Sequence, residues 1–196
     1  MNQAMADAVR ADLVLGWFAD AHRDVETVAR AVAAARLHDA TPCPEWDVQA
    51  LLNHIVFVDL LYAAVADATP LPDPGADHTG ADHVSRLHET GRLAYHAFAR
   101  PGMLEQLYDS PWGQVPGAVM VQHVVNELLA HGWDLARATG QSTDLAPEAA
   151  RHALGVVSTW YSDGRPGDWY AAPQAPPADA SPADRLAAYL GRVNSA

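Results

Sequence analysis

The sequence contains no lysine, one cysteine and few positive charges of any kind. All twelve basic residues are arginine, against twenty-four acidic residues, and the formal net charge is −12. The absence of lysine excludes Schiff-base chemistry, covalent attachment of pyridoxal phosphate and the Walker A phosphate-binding loop. The acidic balance argues against a nucleic acid or an anionic membrane as partner, because both are bound through positive charge.

The single cysteine, Cys43, cannot form an internal disulfide or a cysteine-based metal site. The sequence also lacks the GxGxxG and GxSxG motifs of dinucleotide-binding enzymes and α/β-hydrolases. No uninterrupted apolar run approaches the ~18 residues of a membrane span, and acidic residues interrupt the first stretch, where a signal peptide would lie. We therefore expect a cytoplasmic protein with no membrane partner.

Hydrophobic residues make up 49% of the 196 residues, which is enough for the core of one ordinary domain. Apolar residues recur at spacings of three and four, which is typical of amphipathic helices, and prolines and glycines separate these stretches. No stretch has the alternation of a strand. The pattern predicts helices at about 7–39, 47–67, 81–100, 116–139 and 147–163, and a short last helix at 182–191.

These helices predict an all-α fold built around a four-helix bundle. The proline-rich segment 69–82, between the second and third helices, is long for a tight turn, so we expect a crossover connection there. We expect the helical bundle to comprise residues 1–165. Residues 166–196 should form an irregular strap and a short C-terminal helix packed on the bundle.

Candidate metal ligands occur on two of the predicted helices. His54 shares a face of the second helix with apolar residues, while Glu127, His131 and Asp134 lie within about 60° of one another around the fourth. An unpaired charge in such an apolar stripe is strongly unfavourable, so something must compensate it. A divalent ion would do so, because two imidazoles and one carboxylate are a common ligand set for zinc.

The same spacing allows a simpler interpretation, in which no metal is bound. Glu127 and His131 would then form a buried hydrogen-bonded pair, and His54 would be a core histidine with its hydrogen bonds satisfied. Asp134 has two possible roles as well. It could orient a ligand imidazole from behind, or it could pair with Arg137 three residues later.

Four further residues are weaker candidates. His123 lies four residues before Glu127 and could approach the site or flank it. Cys43 stands between two prolines and would need a nearby base to act as a nucleophile. Trp112 and Trp133 could line the mouth of a pocket, although buried tryptophan more often serves packing.

Four stretches of the sequence resemble one family: 41–47 (TPCPEWD), 51–54 (LLNH), 127–140 (ELLAHGWDLARATG) and 184–192 (DRLAAYLGR). They are similar to the metal-binding domain of mycothiol-dependent maleylpyruvate isomerase and its actinobacterial relatives, within the wider DinB/YfiT-like superfamily. The resemblance implies a DinB-like four-helix bundle with a long crossover and extra C-terminal helices. It also implies zinc, or nickel in some relatives, bound through His54, Glu127 and His131.

The resemblance supports the metal site better than it supports maleylpyruvate isomerisation, because the isomerase carries a second, α/β domain that has no counterpart in this sequence. We therefore expect a zinc-dependent transferase or isomerase that uses a low-molecular-weight thiol such as mycothiol on a small electrophile. The reactive group would be metal-bound water or thiolate, since the bound ion retains about one positive charge. The alternatives are a non-catalytic metal-binding bundle and, because HExxH is missing, less readily a metal-dependent hydrolase.

Overall fold

The structure, a computed structural model, describes residues 6–111, 113–162 and 170–192. The four helices of the bundle are α1 (Val14–Arg30), α2 (Val48–Asp67), α3 (His83–Ala99) and α4 (Gly117–Thr139). Two strands, β1 (Leu107–Ser110) and β2 (Gly113–Pro116), connect α3 to α4. Two further helices follow, α5 (Pro147–Trp160) and α6 (Pro182–Tyr189).

The bundle is arranged so that α1 and α2 each pack against both α3 and α4. The long connection between α2 and α3 runs over residues 68–82, where the sequence predicted it. One hydrophobic core joins all these helices, and α4 contributes most to it because nearly all of its residues are buried. The predicted all-α four-helix bundle is therefore confirmed.

The ends of α2 and α4 follow from local sequence chemistry. Asp47 caps α2, because its carboxylate accepts a hydrogen bond from the backbone N–H of Ala50 at 2.8 Å. Gly140 ends α4 in the left-handed region at φ 68°, a conformation that glycine adopts without a steric cost. Both helices consequently lie within one residue of their predicted bounds.

The prediction of a long first helix over 7–39 is wrong at both ends. Helix α1 occupies Val14–Arg30, and only a single 3-10 turn, Ala34–Arg36, follows it. At the C-terminal end a tertiary contact accompanies the early stop: Arg36 donates to the carbonyls of Ala138 and Thr139 at 2.9 and 2.7 Å, which satisfies acceptors left open at the end of α4. The chain leaves the α1 axis to make this contact.

The prediction that the chain contains no strands is also wrong. Strands β1 and β2 form an antiparallel hairpin in which the buried side chains of Tyr108 and Val115 lie opposite each other. Each strand has four residues and only one fully buried side chain, so the sequence shows too little alternation to identify either.

The C-terminal helices α5 and α6 pack on each other and on α4. The indole N–H of Trp133 on α4 donates to the carboxylate of Asp184 on α6 at 2.8 Å. The same Asp184 completes a capping box with Ser181 at the start of α6. Of the predicted strap and C-terminal segment, residues 166–169 and 193–196 lie outside the described residues, and so does the predicted boundary at residue 165.

Helix α2 is long and apolar enough, by length and composition alone, to cross a membrane, although polar residues interrupt its apolar run. Only 39% of its most apolar 18-residue stretch is buried. In the structure one side of α2 packs against α3 and α4, and the other side lines a large cavity. The apolar residues of α2 therefore lie on two surfaces, one packed against α3 and α4 and the other on the cavity wall.

A buried charged network joins α1, α2 and α3. The His22 imidazole lies 3.0 Å from the carboxylate of Asp59 and 3.1 Å from that of Glu26. Burial lowers the pKa of His22, but its hydrogen bonds to Asp59 and Glu26 outweigh burial and raise the pKa to about 9. Thr90 donates to the same Asp59 oxygen at 3.1 Å, so three helices meet at one carboxylate.

Gly91 on α3 allows this network to form, because a Cβ added there would lie 2.0 Å from Nε2 of His22. We expect Gly91→Ala to lower the free energy of unfolding by about 2 kcal/mol, although alanine is the better helix former. Urea denaturation followed by circular dichroism measures the change. In the matched control, Gly155→Ala on α5, the new methyl meets no atom within 4 Å, and stability should rise by up to ~1 kcal/mol. Equal gains in both variants would contradict the close packing at His22.

Candidate metal centre

The packing of α2 against α4 brings His54, Glu127 and His131 together. Nε2 of His54 lies 3.4 Å from Oε2 of Glu127, and Nε2 of His131 lies 3.3 Å from the same oxygen. The three donor atoms all lie within 4.8 Å of one another. Glu127 and His131 are one helical turn apart on α4, so the helix itself sets their relative position.

Two of the three donor separations fit a tetrahedral metal ion. Ligand atoms bonded to zinc at 2.0–2.1 Å in a tetrahedron lie roughly 3.3 Å apart, and both histidine-to-carboxylate distances are close to that value. Two imidazoles and one carboxylate also form a ligand set that zinc accepts, with a fourth position left for a small molecule. The residues present therefore fit the ion that the sequence predicts.

Glu127 is charged despite its surroundings. Its side chain is 27% exposed, and the exposed part faces the cavity. Burial raises the pKa of Glu127, but hydrogen bonds from His131 and His54 outweigh that effect and hold the pKa well below the ordinary value. For His131, burial lowers the pKa, while Asp134, Cys43 and Glu127 together raise it well above the usual range.

Asp134 holds His131 from behind. It is 0% exposed, and its Oδ2 lies 3.2 Å from Nδ1 of His131, the ring nitrogen that faces away from Glu127. This contact matches the orienting role that the sequence allowed for Asp134. The cation on Asp134 is Arg192, not Arg137, whose guanidinium lies over the ring of Trp133.

Arg192, which follows α6, makes two hydrogen bonds to Asp134. Its Nη2 donates to Oδ2 at 2.9 Å and its Nε donates to Oδ1 at 3.2 Å. Burial raises the pKa of Asp134, but His131 and Arg192 lower it to about 2. An Arg192–Asp134–His131 chain of contacts therefore extends from the C-terminal segment to Glu127.

The loop before α2 covers the other side of the site. The Trp46 ring lies with its centroid 4.4 Å from that of His54 and 5.5 Å from that of His131. The Cys43 thiol donates to Oδ2 of Asp134 at 3.2 Å, and Cys43, His131 and Asp134 form a second group that could hold an ion. This corrects the expectation that Cys43 offers no metal site, because its partners come from α4 rather than from other cysteines. Sequence reasoning found no partner for Cys43 because Asp134 is 91 residues away.

The remaining candidates from the sequence lie at the margin of the site or outside it. His123 stacks on Trp160 with ring centroids 4.3 Å apart, and burial lowers its pKa to about 4. Trp133 is buried and bonded to Asp184, so it packs the core. Trp112 lies outside the described residues.

Sequence reasoning did not single out Arg192, although the residue is the last one in the final stretch that carries the resemblance.

A cavity of about 1490 Å³ opens from the three candidate ligands. Its walls come from the loop 40–46, from α2 and α4, and from residues near the ends of α5 and α6. Pockets for a single small molecule commonly measure about 300–1,000 Å³, so this cavity can hold two small ligands side by side.

Arg192 lets us test how far the site depends on the C-terminal segment. Arg192→Met keeps the aliphatic stem but removes the cation, which leaves the buried Asp134 carboxylate underpaired. We expect the free energy of unfolding to fall by about 3 kcal/mol, measured by urea denaturation. Arg185→Met on α6 is the control, because Arg185 is exposed and, within the described residues, its guanidinium bonds backbone carbonyls and no carboxylate. Similar small losses in both variants would show that the Asp134 contact contributes little.

Comparisons with known proteins agree with this architecture. The chain is 36% identical over 165 residues to uncharacterized proteins of Mycobacterium tuberculosis strains CDC 1551 / Oshkosh and ATCC 25618 / H37Rv, and the match covers 83% of this chain and 88% of each relative. The crystal structure of the mycothiol-dependent maleylpyruvate isomerase is similar at a TM-score of 0.50 and 14% identity, over 74% of this chain and 68% of that one. This likeness confirms the predicted DinB-like fold.

The family follows from the sequence match rather than from the fold. A profile of the mycothiol maleylpyruvate isomerase N-terminal domain matches residues 18–136, which is more than half of the chain. The matched range contains α2 and all but the last three residues of α4, and therefore all three candidate ligands. This chain belongs to the mycothiol maleylpyruvate isomerase N-terminal domain family.

Proposed function

We propose that this protein binds one divalent ion, zinc or alternatively nickel, through His54, Glu127 and His131. We further propose that it is a transferase or isomerase that uses a mycothiol-type thiol as cosubstrate and acts on a small electrophile. The observation that carries the proposal is the convergence of three donor atoms within 4.8 Å at the wall of a cavity of about 1490 Å³.

Two further observations support a thiol as cosubstrate. The family is named for a mycothiol-dependent isomerase, and the structural neighbour is that enzyme. The cavity is large enough for a thiol and an electrophile to be present together. We propose a cytoplasmic location, where reducing conditions would keep both the cosubstrate and Cys43 as thiols.

His54, Glu127 and His131 would hold the ion with about one positive charge remaining on the site, and the ion would supply a lowered pKa for a thiol that reaches it. The chain's own residues do the positioning. Asp134 fixes the ring of His131, and the Trp46 ring covers both imidazoles and shields them from water. Burial and the charge of Glu127 raise the pKa of Tyr62, so its hydroxyl, on the cavity wall, stays protonated and can donate to a substrate oxygen.

The metal-binding half of the proposal is tested by metal analysis. Purified protein saturated with zinc and desalted should retain close to one ion per chain. We expect His54→Ala and Glu127→Ala each to weaken zinc affinity at least a hundredfold in a chelator competition, because each variant leaves two of the three proposed protein ligands. His96→Ala, which removes an exposed histidine on α3, is the control and should leave affinity unchanged. Wild-type protein that retains no zinc would end the proposal.

The thiol half is tested by spectroscopy on cobalt-substituted protein. Adding mycothiol should produce a sulfur-to-cobalt charge-transfer band in the near ultraviolet, and Glu127→Ala should abolish it. Chelation should change the melting temperature little, since the bundle has an extensive apolar core. A non-catalytic metal-binding bundle would give the opposite result: no spectral change with any thiol, and a large fall in melting temperature on chelation.

A further inference from the structure

Helix α2 has two apolar faces: one is fully buried in the core, and the other is half-buried, with Phe57 and Val65 packed at the edge of the core. The core face is fully buried and includes Leu51, Leu52, Ile55, Val56 and Ala63. The second face carries an apolar stripe of Phe57, Leu61 and Val65, which are half-buried and line the cavity. Its residues are four positions apart and so follow one side of the helix. The stripe is why α2 is apolar all round while much of it stays unburied.

The stripe begins at the candidate metal centre. His54 lies on the same side of α2 as Phe57, Leu61 and Val65, within an arc of about 80° at 100° per residue. From His54 to Val65 the helix rises about 16 Å. One continuous wall therefore carries a polar donor at one end and apolar side chains along the rest of its length. Leu71, from the connection to α3, lines the same cavity and is 61% exposed.

Partly exposed apolar side chains inside a cavity are stabilised when an apolar ligand replaces the water against them. Aromatic rings line this space as well, Tyr62 from α2 and Tyr161 and Tyr170 from the C-terminal part of the chain. Charged groups line it too, from Glu45, Asp109 and Arg137. A short, strongly charged acid bound at the metal centre would leave the stripe in water, whereas an elongated apolar molecule would cover it.

We propose that the stripe of Phe57, Leu61 and Val65 binds the apolar body of the electrophilic substrate, an alkyl chain or an aromatic ring system. This apolar body extends up to about 16 Å along α2, and the reactive carbon of the substrate points toward His54. The inference rests on the proposed function for the identity of the reacting group of the substrate. Binding of the apolar body to this wall does not require a metal ion.

The binding test uses N-phenyl-1-naphthylamine, a neutral fluorophore whose emission rises in apolar surroundings. We expect saturable binding to the protein as purified and again after chelation. Straight-chain alcohols from butan-1-ol to decan-1-ol should displace the probe, with affinity rising about fourfold for each added methylene group until the stripe is filled. A parallel series of phenylalkanols distinguishes a preference for rings from a preference for chains.

Variants locate the binding. Leu61→Gln and the nearly isosteric Val65→Thr should each raise the dissociation constant of the probe at least fivefold, with melting temperature monitored to confirm folding. Leu93→Gln is the matched control, because Leu93 is a 49% exposed leucine on α3 that lies outside this cavity. It should leave probe binding unchanged.

Alcohol affinities independent of chain length would overturn the inference. Loss of binding in Leu93→Gln, with binding retained in Leu61→Gln and Val65→Thr, would overturn it as well, since the probe would then mark a surface patch on α3. The probe titration needs no ion and no thiol. Failure of zinc retention or of the cobalt spectrum would therefore refute the proposed function while this measurement still decides the role of the stripe.

Discussion

Negative charge buried on α4 is the constraint on which the rest of this structure depends. Glu127 and Asp134 lie on a helix whose residues are almost all buried, and each needs positive or hydrogen-bonding partners to remain ionised there. His131 contacts both carboxylates, one with each ring nitrogen. The other partners come from distant parts of the chain, His54 from α2 and Arg192 from the C-terminal segment. Satisfying two carboxylates thus draws three separate segments to one place.

Helix α2 shows how one element meets two demands at once. Its core face must exclude water to hold the bundle together, and its cavity face must remain accessible to a ligand. An amphipathic helix would place polar side chains on the second face, but α2 places His54 there among apolar neighbours. The cost of partly exposed apolar surface is tolerated because α2 is anchored elsewhere, by the Asp47 cap and by the contact of Asp59 with His22.

The parts of the fold that depend on local chemistry could be predicted from the sequence. The helical period sets the position of Glu127 relative to His131. The Asp47 cap sets where α2 begins, and Gly140 sets where α4 ends. The convergence of His54 on that pair came from resemblance to a family, because no local pattern specifies which helices will be neighbours. Arg192, the early end of α1 and the hairpin could not be found, since each depends on contacts between residues far apart or on strands too short to show a pattern.

The pairing of Arg192 with Asp134 has a consequence for the order of events during synthesis. Arg192 is added 58 residues after Asp134, which at ribosomal rates of about 5–20 residues per second is a delay of roughly 3 to 12 s. During that interval the four bundle helices can already assemble, yet the carboxylate behind His131 still has no guanidinium. Ribosomal elongation therefore sets the earliest moment at which the region around His131 can reach its final arrangement, and until then the Asp134 carboxylate has His131 and Cys43 as partners but not Arg192.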